Sequence, residues 1–202
     1  MLASFLTICR STAAVARAQP MAARAEVAQH RGFTLIEALI GMTVVAILLT
    51  CIVPAFGGLM AEVQLRSAAY ALADALALAR SEAIKHGARA NLCKSSDRRQ
   101  CTTAAGWEAG WLLFLDDNRN GALDRDEVVV RVKPLAPRGI TARANQPLAN
   151  YVSFTPLGHA RLLSGALQMG TVTVCRPGLR PYHVVLANTG RVRVERPAEI
   201  CP

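Results

Sequence analysis

The sequence predicts an α+β fold, with one long N-terminal helix packed on a small antiparallel β-sheet domain. Three observations predict it. An uncharged apolar run occupies residues 38–61. A helical stripe of apolar residues continues it to about residue 86. Short β-branched segments separated by turn residues follow. A chain of 202 residues holds one domain with extensions, or at most two small domains. Hydrophobic residues make up 52% and charged residues 18%, with 14 Gly and 10 Pro. That excludes an acidic disordered chain and a collagen-like or low-complexity one.

The first element runs from Ala38 to Ala61 without a charge and is dominated by Ile40, Val44, Val45, Ile47, Leu48, Leu49, Ile52 and Val53. A helix rises about 1.5 Å per residue, so roughly 20 residues cross a hydrocarbon layer. This run is long enough. Before it lie Arg10, Arg17, Arg24 and Arg31 against one acid, Glu26. Arg-rich flanks stay cytoplasmic, which places residues beyond about 62 outside, in a bacterium the periplasm. A secretory signal peptide is the competing reading, but the run is too long and no A-x-A site follows it. Glu37 falls in the first turn of this helix. A carboxylate there costs on the order of a few kcal/mol unless a cation lies beside it.

The helix continues past Pro54. Leu65, Ala69, Leu72, Leu76, Ala79 and Ala83 recur at steps of three and four, while Glu62, Arg66, Asp74, Arg80 and Lys85 fall mostly off that stripe. Gly87 is a C-cap candidate, so one helix is expected from about 34 to 86. The expected strands are 90–93, 111–115, 128–132, 151–154, 171–175, 182–187 and 191–195. Turns are expected at 118–121, 134–139, 156–158 and 188–190. No repeat or low-complexity linker divides the region, so residues 61–202 form one outer domain that includes the amphipathic helix 61–86.

The segment Arg31-Gly32-Phe33-Thr34-Leu35-Ile36-Glu37 resembles the processing site of type IV prepilins and type II secretion pseudopilins. The resemblance implies a leader over 1–32, cleavage by a prepilin peptidase between Gly32 and Phe33, and N-methylation of Phe33. It implies a transmembrane and assembly helix over 33–60, with Glu37 meeting the N-terminal amine of a neighbouring subunit. Pro54 falls where many pilins carry a helix-kinking proline. A leader of this length is long for the family, and a start at Met21 would give a shorter one. Within the superfamily the chain is similar to FimT/GspH-like minor pilins. The similar runs are Leu78-Ala79-Arg80-Ser81-Glu82-Ala83-Ile84-Lys85, and Gly110-Trp111 followed by Phe114-Leu115-Asp116-Asp117-Asn118-Arg119-Asn120-Gly121. This implies the pilin fold. The implied partners are other major and minor pilins, the prepilin peptidase and the inner membrane. Residues 134–170 match no familiar pattern.

Cys9 lies in the leader and Cys51 in the apolar run, leaving Cys93, Cys101, Cys175 and Cys201 outside. Four cysteines allow three pairings, and an oxidising compartment favours disulfides. The expected pairs are Cys93–Cys101, closing a short loop with Lys94, Arg98 and Arg99, and Cys175–Cys201, tying down the C-terminal tail. Zinc is the alternative, but no paired C-x-x-C exists.

Residues 116–127 fit the calcium-loop pattern D-x-[DN]-x-[DN]-G-x5-E. The ligands would be Asp116, Asn118, Asn120, the Ala122 carbonyl, Asp124 and Glu127. Both flanks read as strands rather than helices, so an Asn/Gly-rich hairpin turn competes with a calcium site. No other cofactor or metal is expected.

Charge is uneven. Residues 131–202 hold ten Lys/Arg and two acids, whereas residues 62–130 hold nine and ten. In the strand after Asn188-Thr189-Gly190, alternation puts Val192 and Val194 inward and Arg191 and Arg193 outward, roughly 7 Å apart. That is near the spacing of successive phosphates on one strand, and a guanidinium fork fits phosphate oxygens. Gly190-Arg191-Val192-Arg193 resembles the Gly-Arg-x-Arg DNA-binding motif of FimT-type pilins. Arg176, Arg180 and Arg196 are candidate neighbours, with Lys94, Arg98 and Arg99 if their loop lies close. A solvated basic strand face is the plain alternative.

No G-x-S-x-G, P-loop or H-E-x-x-H is present, and His86, His159 and His183 have no nucleophile or ligand nearby in sequence, so no enzyme is expected. The expected function is a minor type IV pilin that binds extracellular double-stranded DNA, without sequence preference, for uptake in natural transformation. The alternatives are a structural or priming minor pilin without a DNA role, and a type II secretion pseudopilin.

Overall fold

The computed structural model describes residues 33–133 and 136–202, without the side chains of 51–55. The leader with Gly32, Pro134 and Leu135, and the side chains of Cys51 and Pro54, lie outside the described residues. The chain divides into two units, Met1–Ala46 and Ile47–Pro202.

Helix α1 runs over Leu35–His86. Thr34 caps its start, its Oγ1 accepting the Glu37 N–H at 3.3 Å. Thr34-x-x-Glu37 has capping-box spacing, and an acid in the first turn suits the positive end of the helix dipole. In the first unit every described side chain is exposed, including Phe33, Leu35, Ile36, Leu39, Ile40, Val44 and Val45. Among the described residues no helix is long and apolar enough to cross a membrane. The expected span over 38–61 includes residues 51–55, whose side chains are not among them.

In the second unit the apolar stripe is buried in full: Leu65, Ala69, Leu72, Leu76, Ala79 and Ala83 are all at most 4% exposed. Arg66, Asp74 and Lys85 are exposed, and Glu62 and Arg80 are half-buried. The helix stops at Gly87, whose φ of +61° is the left-handed conformation a C-cap glycine adopts at no steric cost.

Eight strands follow among the described residues: β1 (Arg89–Lys94), β2 (Trp111–Asp116), β3 (Val129–Lys133), β4 (Thr141–Ala144), β5 (Tyr151–Phe154), β6 (Gly170–Cys175), β7 (Tyr182–Leu186) and β8 (Val192–Glu195). They form two four-stranded antiparallel sheets, ordered β3-β2-β1-β5 and β4-β6-β7-β8. The sequence suggested a single small sheet and did not mark β4. One core joins the helix stripe to Leu92, Leu113, Val152 and Phe154 of the first sheet and Val172, Val174, Val184 and Leu186 of the second.

β2 is buried on both faces. Trp111, Leu113 and Leu115 enter the main core, and Leu112 and Phe114 join Cys93 in a second cluster flanked by Cys101, Leu123, Val132 and Tyr151. Disulfides join Cys93 to Cys101 and Cys175 to Cys201. Buried Gln168 lies in the stretch without a familiar pattern. Its Oε1 accepts the Ser153 N–H at 2.8 Å, and its Nε2 donates to the Tyr151 and Pro147 carbonyls at 2.8 and 3.2 Å. A buried amide with its partners supplied is what lets an irregular segment rest against a sheet edge.

Candidate nucleic-acid interface

The basic C-terminal segment enters through the β7–β8 hairpin. Its turn closes by two bonds of 2.9 Å, Gly190 N–H to the Ala187 carbonyl and Ala187 N–H to the Arg191 carbonyl. Gly190 has φ of +81°. A Cβ there would sit 2.1 Å from the Gly158 carbonyl oxygen. Both the turn and the close approach therefore require glycine. The neighbouring 155–158 turn is joined to this one by the Ala160 N–H, which donates to the Asn188 carbonyl at 3.1 Å.

β8 begins at Val192, so Arg191 belongs to the turn rather than to the strand. Val192 and Val194 pack against the core, and Arg191 and Arg193 are exposed. Arg191 lines a groove between the hairpin and α1, with Arg80, Ser81, Ile84 and Val192. Arg193 pairs with Glu195, two positions along the same strand face.

The other candidate cations are engaged. Arg176 Nη1 donates to Gln64 Oε1 at 2.8 Å. Arg180 donates to the Pro197 and Arg196 carbonyls. Arg196 pairs with Glu62 at 2.6 Å and lies 4.9 Å from the Tyr182 ring centroid. Glu62 also accepts the Tyr182 hydroxyl at 3.0 Å. Burial of Tyr182 pushes its pKa up, and that hydrogen bond adds to the effect. Together these contacts fasten the C-terminal strand to α1.

Lys94 is buried rather than displayed on its loop, its Nζ donating to the Thr103 carbonyl at 3.3 Å. Desolvation lowers its pKa, opposed by Glu108 and reinforced by Arg143. Arg98 and Arg99 are exposed. Their loop is braced by Asp97, whose carboxylate accepts the Arg99 and Gln100 N–H groups and is held below its usual pKa by them.

The acidic loop joins β2 to β3. Asp116 is fully buried and accepts from Asn91 Nδ2 and from the N–H groups of Asn120 and Gly121. Asp124 Oδ2 accepts from Asn118 and Asn120 Nδ2, both at 2.7 Å. Glu127 accepts from the N–H groups of Asp117 and Asp124. Gly121 has φ of +76°. This is a self-capped hairpin loop. Among the described residues no group of three or more His, Cys, Asp or Glu could hold a metal ion.

A capped N-terminal helix with a first-turn glutamate, its later half buried on an antiparallel β domain, defines the pilin class. The family model described as the prokaryotic N-terminal methylation motif matches residues 28–50. The chain belongs to the family described as type II transport protein GspH, whose model matches residues 68–190. That match ends at Gly190, so Arg191 and Arg193 lie just outside it.

Among solved structures, the type IV minor pilin FimU of Pseudomonas aeruginosa is similar at 20% identity and a TM-score of 0.51. The match covers 68% of this chain and 96% of that one. The minor pseudopilin EpsH from the type 2 secretion system of Vibrio cholerae matches at 14% identity and a TM-score of 0.46, covering 67% of this chain and 99% of that one. No curated protein matches.

Proposed function

We infer that this chain is a minor pilin of the type IV pilus that binds double-stranded DNA through the β7–β8 hairpin, for uptake in natural transformation. Residues 38–61 anchor it in the inner membrane after a prepilin peptidase cuts between Gly32 and Phe33 and Phe33 is methylated. Glu37 then meets the terminal amine of a neighbouring pilin during assembly. What carries the DNA reading is Arg191, an exposed guanidinium at the tip of a hairpin braced against a second turn, in a region of ten basic and two acidic residues. Phosphate contacts of this kind give affinity without reading sequence. A single subunit holds DNA weakly, and several copies along a filament hold it more firmly.

The test is a gel-shift titration of the full chain in detergent against a short duplex at low and moderate salt, beside Arg191→Ala/Arg193→Ala. Binding that falls with salt and disappears in the double variant is expected. Equal binding by the double variant would overturn the assignment to this hairpin. A second reading is a type II secretion pseudopilin, favoured by the description of the matching family. On that reading the wild-type protein leaves the duplex unshifted even at low salt.

A further inference from the structure

Arg80 stands apart from the other interior cations. It lies on the outer half of α1, half-buried. Its Nη1 donates to the Gly190 carbonyl at 3.3 Å. Its Nε is fully buried and has no hydrogen-bond partner. Its stem is wedged between two turns. A Cβ on Gly190 would stand 3.2 Å from Arg80 Cδ, and one on Gly158 would stand 3.0 Å from its Nε.

Among the described residues no carboxylate pairs with Arg80, whereas Arg143, Arg193 and Arg196 each have one. Withdrawing a guanidinium from water is unfavourable unless an anion or a full set of acceptors replaces the water. Arg80 has one carbonyl. It lines the groove in which Arg191 also lies, with the hydroxyl-bearing Ser81 beside them. Two cations without carboxylate partners on one groove repel each other until an anion sits between them.

We propose that Arg80, Arg191 and Ser81 form a phosphate subsite in the groove between α1 and the β7–β8 hairpin, occupied by one backbone phosphate of bound DNA. This rests on the DNA reading above and changes its geometry. The grip is Arg191 with Arg80, across the groove, rather than Arg191 with Arg193 along the strand. Arg193 is already neutralised by Glu195 and contributes less. The Gly190 carbonyl, by accepting from Nη1, fixes the plane of the Arg80 fork.

The experiment follows arginine Nε–H signals by NMR in the full chain, purified in detergent, as a short duplex and then inorganic phosphate are added. Salt titrations of Arg80→Met and Arg80→Lys accompany it. The Arg80 and Arg191 signals should move together with either probe. Arg80→Met should weaken duplex binding about tenfold and shallow the slope of log K against log salt by about 0.9, the value for one lost phosphate contact. Arg80→Lys should keep most of the slope. Duplex binding with a silent Arg80 signal and an unchanged Arg80→Met slope would overturn the subsite while leaving the hairpin reading intact. No duplex binding by the wild-type chain would overturn both.

Discussion

Arg193 shows how a neighbour decides what a cation can do. Its partner Glu195 lies two residues away on the exposed face of the strand, so the pair is cheap to form and cheap to break. Glu195→Gln frees Arg193 and removes a negative charge from the hairpin. It should tighten duplex binding about threefold at low salt, measured by fluorescence anisotropy. Tyr182 lies on the adjacent strand, β7, and is buried. Its pKa is raised, so its contribution to stability is full below pH about 10 and is lost as pH rises through the folded-state value. Tyr182→Phe should cost about 1 kcal/mol at neutral pH and abolish that alkaline loss, as followed by thermal melts across pH. The Arg193–Glu195 pair was legible in principle, because strand alternation puts residues two apart on one face. The Glu62–Arg196 pair was not, because its members are far apart in sequence and only the fold brings them together.

At the scale of elements, the helix was the most legible part. Its buried face repeats at a fixed period, and all six stripe residues are buried. The strands with β-branched residues were legible too. β4 was not, because Thr-Ala-Arg-Ala is short and half alanine, and it is a strand only because β6 offers it a partner. For the same reason the division into two sheets could not be read from local pattern. The hairpin turn was visible as Asn-Thr-Gly, but its contact with the 155–158 turn was not. Gly190→Ala tests that contact. It forces a left-handed φ on a residue with a Cβ and drives that Cβ into the Gly158 carbonyl. The expected cost is at least about 2 kcal/mol by denaturant unfolding, with weakened duplex binding in whatever fraction stays folded.

Along the whole chain, charge and apolar sequence are segregated. The apolar run sits at one end of the sequence and the basic excess in its last third. The Cys175–Cys201 bond ties the C-terminal tail to β6, and the Tyr182–Glu62–Arg196 contacts hold the basic end to α1. The central claim is that this basic end binds phosphates rather than bases. The most direct test is an anisotropy titration of the full chain in detergent against two duplexes of unrelated sequence across a salt series. Equal affinities that fall linearly in log K against log salt, with a slope of roughly −2 to −3 for two or three phosphate contacts, are predicted. Salt-independent affinity, a strong preference for one sequence, or no binding at the lowest salt would contradict the account.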